Sequence, residues 1–365
     1  MEPRIPTHSL PSYNEPTPET RARVSREEEA ERALKHTRFS KGAREILLAL
    51  FLLTIVSVSA IQFLASRRAP NERLWPRFGL ETFFHAKEIK SFEKQLETDS
   101  VVSQWLLPPT QSILTGKFGA GNEQVYLGRD GWLFYRPDVD YVTGPPFLDA
   151  TQLRRRAHSA RIQPDPIKAI VQFHEQLAAR GIALVVLPVP VKASVDGEML
   201  SARVSLGAEL QNASFADFKT RLTANGVRLF DPAPALVQRK RESENWPLYL
   251  QSDTHWRPET MEFVTRELAA FLKLPAPQSS AGLQVSEKQL AGVGDIARML
   301  KLPPNEQLYP AQEIVIRQVT SGSGFWRPSA DADVLLLGDS FANIFSLEAL
   351  GWGESAGFAE QLSHS

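Results

Sequence analysis

The chain has no cysteine in its 365 residues. That absence excludes disulfides, thiolate nucleophiles and Cys-ligated zinc together, and it suits a periplasmic protein as well as a cytosolic one. It also lacks an excess of either charge. Forty-one Lys and Arg residues stand against 42 Asp and Glu, a net charge of −1, so no summed positive field exists to hold nucleic acid. Histidine is scarce, with seven residues, which narrows the choice of a general base. Beyond residue 66 no apolar run is long enough to cross a bilayer, since Ile182–Val191 and Val334–Leu337 are both too short.

What is present begins with an uneven N-terminal third. Residues 1–45 are first Pro-rich (Pro3, Pro6, Pro11, Pro16, Pro18) and then mix Arg with Glu. Such a stretch has little to bury against its ordering entropy and is expected to be a disordered cytoplasmic tail. Residues 46–66 are predicted to be a transmembrane anchor. Ile46–Ala65 holds neither charge nor proline, and about 20 residues at ~1.5 Å rise span the hydrocarbon core of a bilayer. Basic residues bracket the run closely, against a buried core helix, and the charged lead is too long for a cleaved signal peptide. Arg32, Lys35, Arg38, Lys41 and Arg44 precede it, while Arg67, Arg68, Arg73 and Arg77 follow. That slight bias places the N-terminus in the cytoplasm and the body in the periplasm, as a single-pass inner-membrane protein. Residues 67–120 read as a juxtamembrane helix, with Phe84, Ile89, Phe92 and Leu96 on its apolar side, and a connector. Pro108-Pro109 is expected to stop the helix, and Gly116, Gly119 and Gly121 to form a loop. No strand precedes those glycines, so they are no nucleotide fingerprint, and no cofactor is expected.

Residues 121–365 read as one α/β domain. Val125–Leu127 and Trp132–Tyr135 flank Gly128-Arg129-Asp130-Gly131, a hairpin signal. Helices are predicted over Pro166–Arg180, Phe215–Asn225 and Thr260–Leu272, with Gly181 and Gly226 ending the first two. Ala183–Val189, Val227–Phe230 and Val334–Leu337 read as strands, the first and last buried on both faces. Alternating helix and strand indicates a parallel sheet with helices on both faces. Val334–Leu337 and Ala183–Val189 are expected to lie in that one sheet, with their carboxyl ends on one edge.

Two motifs carry possible chemistry. The first is Val334-Leu335-Leu336-Leu337-Gly338-Asp339-Ser340-Phe341, a strand running into a glycine turn with a serine where a helix begins. Ligands of open α/β sheets bind outside the carboxyl ends of the strands, and free N–H groups at a helix start can receive an oxyanion. The plainer reading is that Asp339 and Ser340 only cap the helix. The second is Ser252-Asp253-Thr254-His255-Trp256, followed by Arg257-Pro258. In an extended segment Asp253 and His255 project to one side, where the carboxylate can orient the imidazole. Here the plainer reading is a satisfied histidine with a capping aspartate. Together the motifs supply nucleophile, base and orienter. Asn343, one turn beyond Ser340, is a candidate oxyanion donor or simply a polar helix-surface residue. Trp132, Trp246, Trp256 and Trp326 could line a sugar cleft, though aromatic residues more often fill cores. Asp253 and His255 could ligate a metal, but no third ligand shows a matching spacing, and no metal is expected.

Asp-Thr-His-Trp, followed later by a strand and Gly-Asp-Ser-Phe, resembles the SGNH-hydrolase-like acetyltransferases of the alginate O-acetyltransferase family. Val125-Tyr126-Leu127-Gly128-Arg129-Asp130-Gly131-Trp132-Leu133-Phe134 resembles the family's opening hairpin. Leu187-Pro188-Val189-Pro190-Val191-Lys192 resembles its first core strand and the following loop. The resemblance runs from about residue 80 onward. It implies an SGNH-hydrolase-like fold, with Ser340 as nucleophile, His255 as general base and Asp253 as its orienter. It further implies an O-acetyltransferase that moves acetyl through a serine ester onto hydroxyls of an exported, alginate-like polysaccharide. A polytopic membrane O-acyltransferase would supply the acetyl group. An acetylesterase and a non-catalytic polysaccharide-binding subunit are the alternatives. Family members continue further beyond the serine, so the chain is expected to lack its natural C-terminal part or to pack its last helix poorly.

Overall fold

The computed structural model describes residues 40–68, 90, 94, 100–159, 162–243, 247–275, 282–322 and 324–365. It divides into two units, Met1–Gln104 and Trp105–Ser365. The first unit contains α1 (Lys41–Arg68). Within it, Lys41–Ala65 is the one helix among the described residues long and apolar enough to cross a membrane. Its large side chains are exposed along its length, from Ile46 through Phe51 and Leu53 to Leu64. Residues 1–39, and Phe84, Ile89, Phe92 and Leu96 of the expected juxtamembrane helix, lie outside the described residues.

Helix α2 (Val101–Phe118) corrects one expectation, because it runs through Pro108 and Pro109. Those prolines cannot donate to the carbonyls of Gln104 and Trp105, the partners four residues back. Both of these residues are exposed, so water can serve their carbonyls. Further along, the helix is tied down by its polar side chains: Gln111 donates to Thr115 Oγ1 (2.9 Å), and the Ser112 hydroxyl donates to Glu306 (2.5 Å).

After α2 the second unit continues with the expected hairpin. Strands β1 (Val125–Leu127) and β2 (Leu133–Tyr135) pair antiparallel, with Val125 opposite Tyr135. Helices α3 (Arg136–Thr143), α4 (Ala150–Ser159) and α5 (Pro166–Ala178) follow. The Asp165 carboxylate accepts from the backbone N–H groups of Ile167 and Lys168 and starts α5. Next come β3 (Val185–Val186), α6 (Lys192–Val195), α7 (Gly197–Leu200), α8 (Phe215–Ala224) and β4 (Arg228–Leu229). Gly181 and Gly226, at φ 71° and 79°, take the left-handed turns after α5 and α8.

Parallel pairing occurs between β3 and β4, and side chains leave this pair in both directions. Leu184, Val186 and Leu229 meet Ile167, Phe218 and Leu222 of α5 and α8 on one side. Val185, Leu187 and Phe230 join the main core on the other. Helices on both faces are therefore present, but the sheet is much smaller than expected. Of Ala183–Val189 only two residues are in strand, and that stretch is half-buried, with Ala183 exposed. Pro188 lacks an N–H, and β4 is the one ladder neighbour of β3 among the described residues.

Helices α9 (Ala233–Glu242) and α10 (Pro258–Leu272) pack against the main core. Then comes an unexpected antiparallel sheet of β5 (Leu283–Gly292), β6 (Gln312–Ser321) and β7 (Gly324–Phe325). Helix α11 (Asp295–Met299) lies between β5 and β6 in sequence. The sequence of β5 is mostly polar and the strand mostly exposed, so it carries no apolar alternation. Strand β6 contributes Ile314, Ile316 and Val319 to the interior.

Val334–Leu337 is the second correction. It is not a strand, and these residues are 42%, 83%, 38% and 71% exposed. No strand among the described residues pairs with it. Apolar character marks a segment that can join a sheet, while the ladder and the burial come from neighbours. Helices α12 (Ser340–Asn343) and α13 (Phe358–His364) complete the described elements. The last helix packs well, which sets aside the second of the two outcomes expected for this end. Phe358 stacks on Trp256 with ring centroids 5.8 Å apart, and the buried Gln361 donates to the Arg317 carbonyl (2.6 Å).

Candidate active site

The base side of the site is a tight reversal. An antiparallel bridge joins Tyr249 to Trp256, Leu250 N–H donates to His255 O (3.0 Å), and Arg257 N–H donates to Leu248 O (2.9 Å). Asp253, Thr254 and His255 sit in the bend this creates. The meeting of Asp253 with His255 thus comes from a turn and not from an extended segment. One oxygen, Asp253 Oδ1, accepts from both the backbone N–H of His255 (3.0 Å) and its Nδ1 (2.6 Å). An aspartate readily accepts from the N–H two residues on, so the Asp-x-His spacing itself brings carboxylate and ring together.

Three elements hold this bend. Lys192 at the start of α6 is fully buried, and its three N–H bonds are shared among four carbonyls: Leu133 (2.7 Å), Leu250 (2.6 Å), Gln251 (2.8 Å) and Asp253 (3.1 Å). Its ammonium also lies over the Trp132 and Phe134 rings. Trp352, 1% exposed, donates its indole N–H to Asp253 Oδ2 (2.9 Å). Gly294 and Asp295 close the third side. A Cβ on Gly294 would stand 2.1 Å from the Ser252 carbonyl oxygen and 2.6 Å from Asp253 N, so only glycine permits this approach. Asp295 donates its N–H to Asp253 Oδ2 (2.9 Å) and accepts from Thr254 N–H (2.8 Å) and Thr254 Oγ1–H (2.7 Å).

The charges respond to this packing. Burial pushes the Asp253 carboxyl up, but the hydrogen bond and charge of His255, with the Trp352 and Asp295 N–H groups, outweigh it and leave it at about 2. Burial, reinforced by Asp295, raises Asp138 on α3 to about 6. Asp295 is itself raised by burial and by Asp253. Burial draws Lys192 down to about 7, against the pull of Asp196, Asp253, Asp295 and Asp138.

Ser340 approaches from the opposite side. Asp339 caps α12 by accepting the Phe341 N–H (3.0 Å), so the capping expected at this motif falls to Asp339. Ser340 is exposed, and its Oγ lies 2.8 Å from His255 Nε2. Nδ1–H has a carboxylate to donate to, which leaves the Nε2 lone pair for the serine hydroxyl. Phe341 fixes the approach. Its ring lies 4.8 Å from that of His255, and its carbonyl accepts from Trp256 Nε1 (3.1 Å).

Ser340, His255 and Asp253 therefore converge. Asn343 instead donates to Asp339 O (2.9 Å) in its own turn. Trp132 and Trp256 belong to the core, Trp326 borders an open cavity of about 830 Å³, and Trp246 lies outside the described residues. Sequence reading missed Asp295, Lys192 and Trp352. Each had a faint signal: an aspartate after glycine at a helix start, a lysine among prolines and valines, and a tryptophan between two glycines. It also found no third ligand for a metal, yet Asp295 brings a carboxylate oxygen within 4.8 Å of ligand atoms of Asp253 and His255. All four carboxylate oxygens already accept hydrogen bonds, and His255 Nδ1 faces one of them. This donor set is built as a hydrogen-bonded network and does not fit an open metal site.

Comparison with known proteins agrees with this architecture. A family model described as the SGNH hydrolase-like domain of acetyltransferase AlgX matches residues 125–365. The probable alginate O-acetylase AlgJ of Pseudomonas aeruginosa is 27% identical over 211 residues, 56% of this chain and 49% of that protein. That of Pseudomonas fluorescens is also 27% identical, over 62% of this chain and 55% of that protein. The chain spans about half the length of these curated relatives. The solved O-acetyltransferase domain of Pseudomonas putida AlgJ aligns over 66% of this chain and 76% of that one, at 21% identity and a TM-score of 0.45. The family match covers well over half of the sequence and includes every residue of the converging site: the chain belongs to the AlgX-type, SGNH hydrolase-like acetyltransferase family.

Proposed function

We propose that this chain is an O-acetyltransferase acting on alginate or a related polysaccharide, with Ser340 as nucleophile, His255 as general base and Asp253 as its orienter. The observation that carries the reading is the unbroken line from Asp253 Oδ1 to His255 Nδ1 (2.6 Å) and from His255 Nε2 to Ser340 Oγ (2.8 Å). A serine hydroxyl is a weak nucleophile until a base takes its proton. His255 Nε2 accepts that proton as Oγ attacks the acetyl carbonyl, and the ionised Asp253 stabilises the imidazolium. The tetrahedral intermediate collapses to an acetyl-serine, and the departing donor oxygen takes the proton from Nε2. A sugar hydroxyl then gives its proton to Nε2, attacks the ester and leaves acetylated as Ser340 recovers a proton.

The names of the AlgJ relatives support alginate as acceptor. On this reading residues 121–365 form the catalytic domain, and residues 46–66 anchor it as a single pass in the inner membrane. Residues 1–45 then lie in the cytoplasm and the catalytic body in the periplasm. Residues 67–120 are the connector, and a polytopic O-acyltransferase delivers acetyl groups. The exposure of Ser340 also admits water as acceptor, which is the esterase reading. The test follows acetyl transfer from p-nitrophenyl acetate to alginate oligosaccharides alongside release of free acetate. Ser340→Ala and His255→Ala are each expected to lower transfer by about a thousandfold or more, with unfolding midpoints unchanged. A folded Ser340→Ala variant transferring at the wild-type rate refutes the assignment, and acetate release without acetylated sugar selects the esterase.

A further inference from the structure

We propose that Asp295 is a second orienting carboxylate of this site, a positioning residue that holds the His255 ring through Thr254 and Asp253. The inference rests on the triad reading above and deepens it. A triad needs one carboxylate, yet Asp295 is tied to this one's bend by three hydrogen bonds. Its own N–H secures Asp253 Oδ2, and its two oxygens accept the N–H and the hydroxyl of Thr254.

The direction of the Thr254 hydroxyl is the telling detail. Because Oγ1–H donates to Asp295 Oδ2 (2.7 Å), the Oγ1 lone pair is left for His255 Nδ1, 3.1 Å away. The imidazole N–H then has two acceptors, Asp253 Oδ1 and Thr254 Oγ1, which restrict ring rotation about the axis that aims Nε2 at Ser340. Without Asp295 the hydroxyl is free to turn and donate elsewhere. A helix-capping role does not account for this geometry. The N-cap of α11 is Gly294, both Asp295 oxygens accept from Thr254, and the Ala297 N–H of that helix donates to the Ser252 carbonyl (3.1 Å). The helix start is turned toward the Asp-His bend.

The arrangement also has an electrostatic consequence. Asp295 Oδ2 lies 4.0 Å from His255 Nδ1. The charged groups facing the ring are Asp253 on its own turn, Asp295 on α11, Asp138 on α3 and Lys192 beneath the bend. An anion at that distance attracts the positive charge that the imidazole carries during transfer. Placing a second carboxylate against the buried Asp253 is unfavourable in itself, a cost that functional sites commonly carry.

The experiment measures steady-state p-nitrophenyl acetate turnover for the full-length protein in detergent, comparing wild type, Asp295→Asn, Thr254→Val, Thr254→Ser and Ser340→Ala. Asp295→Asn is expected to lower kcat by about 10- to 100-fold, as a slightly misplaced base does, with KM within about twofold of wild type. Thr254→Val removes the hydroxyl between Asp295 and His255 and should likewise lower kcat, while Thr254→Ser, which keeps it, should stay near wild type. A folded Asp295→Asn variant with wild-type kcat, or a Thr254→Ser variant as slow as Thr254→Val, overturns the proposal. Should Asp295→Asn not fold, Thr254→Val decides: reduced kcat supports the relay, and wild-type kcat overturns it. Turnover that persists in Ser340→Ala refutes the triad reading instead, so the two failures are distinct.

Discussion

The two halves of the site are built to different standards. The Asp253–His255 bend is buried and gripped from three sides, by the Lys192 ammonium, the Trp352 indole and the Gly294–Asp295 backbone. Ser340 stands at the end of Val334–Gly338, a stretch exposed throughout and without a ladder partner among the described residues. It is located chiefly by the short α12 turn and by Phe341. Orienting a base demands a fixed ring angle and a fixed tautomer, which only a dense hydrogen-bond shell supplies. A hydroxyl left open to large molecules needs access, and access is incompatible with such a shell.

The comparison can be broken most severely on the base side. Lys192→Met keeps the length of the side chain and removes its donors, leaving carbonyls of Leu133, Leu250, Gln251 and Asp253 without that partner. Buried acceptors that lose their donor each carry a desolvation penalty. Chemical denaturation should therefore show a loss of about 3 kcal/mol or more, together with loss of turnover. An unchanged midpoint would mean that the bend is held by other contacts. An intermediate effect is expected where the halves touch. Phe341→Ala removes the ring packed on His255 and edge-on to Trp256, a contact worth up to about 1.5 kcal/mol. Turnover should fall by about tenfold while the Trp256–carbonyl hydrogen bond persists. Steady-state rates decide this, and a loss as large as that of Ser340→Ala would place Phe341 in the reaction itself.

The smallest effect is expected at the serine's approach. Leu335 is 83% exposed, so Leu335→Ser should change stability by no more than about 0.5 kcal/mol. A buried strand leucine would cost about 2–5 kcal/mol on truncation. The same denaturation measurement thus separates an open nucleophile arm from the two-sided strand that its sequence suggests.

Much of this molecule is legible where the signal is local. The Val125–Tyr135 hairpin follows from its turn residues, α5 from Asp165 and Pro166 at its start, and α10 from Pro258 in its first turn. The apolar run of α1 needs only its length and lack of charge. Legibility fails where a partner is remote. Val334–Leu337 and Ala183–Val189 look alike as apolar runs, yet the second has a two-residue ladder with β4 and the first has none among the described residues. Strand β5 shows the reverse, being too polar to read as a strand and ordered by its ten-residue pairing with β6. Pro108 and Pro109 misled because a helix with exposed carbonyls can lose two hydrogen bonds to water and continue.

By itself the sequence determined the chemical inventory: a serine at a helix start, an aspartate two residues before a histidine, no thiol and one long apolar segment. It also determined the Asp253–His255 hydrogen bond, because two residues in a turn cannot avoid one another. The tertiary structure alone decided that Ser340 reaches His255 across 85 residues and that Lys192, Asp295 and Trp352 surround the bend. Contacts between near neighbours are dictated by spacing along the chain. Those between distant segments have a loop-closure entropy to overcome, and form only where the packed core around Trp256, Trp352 and Phe345 offsets it.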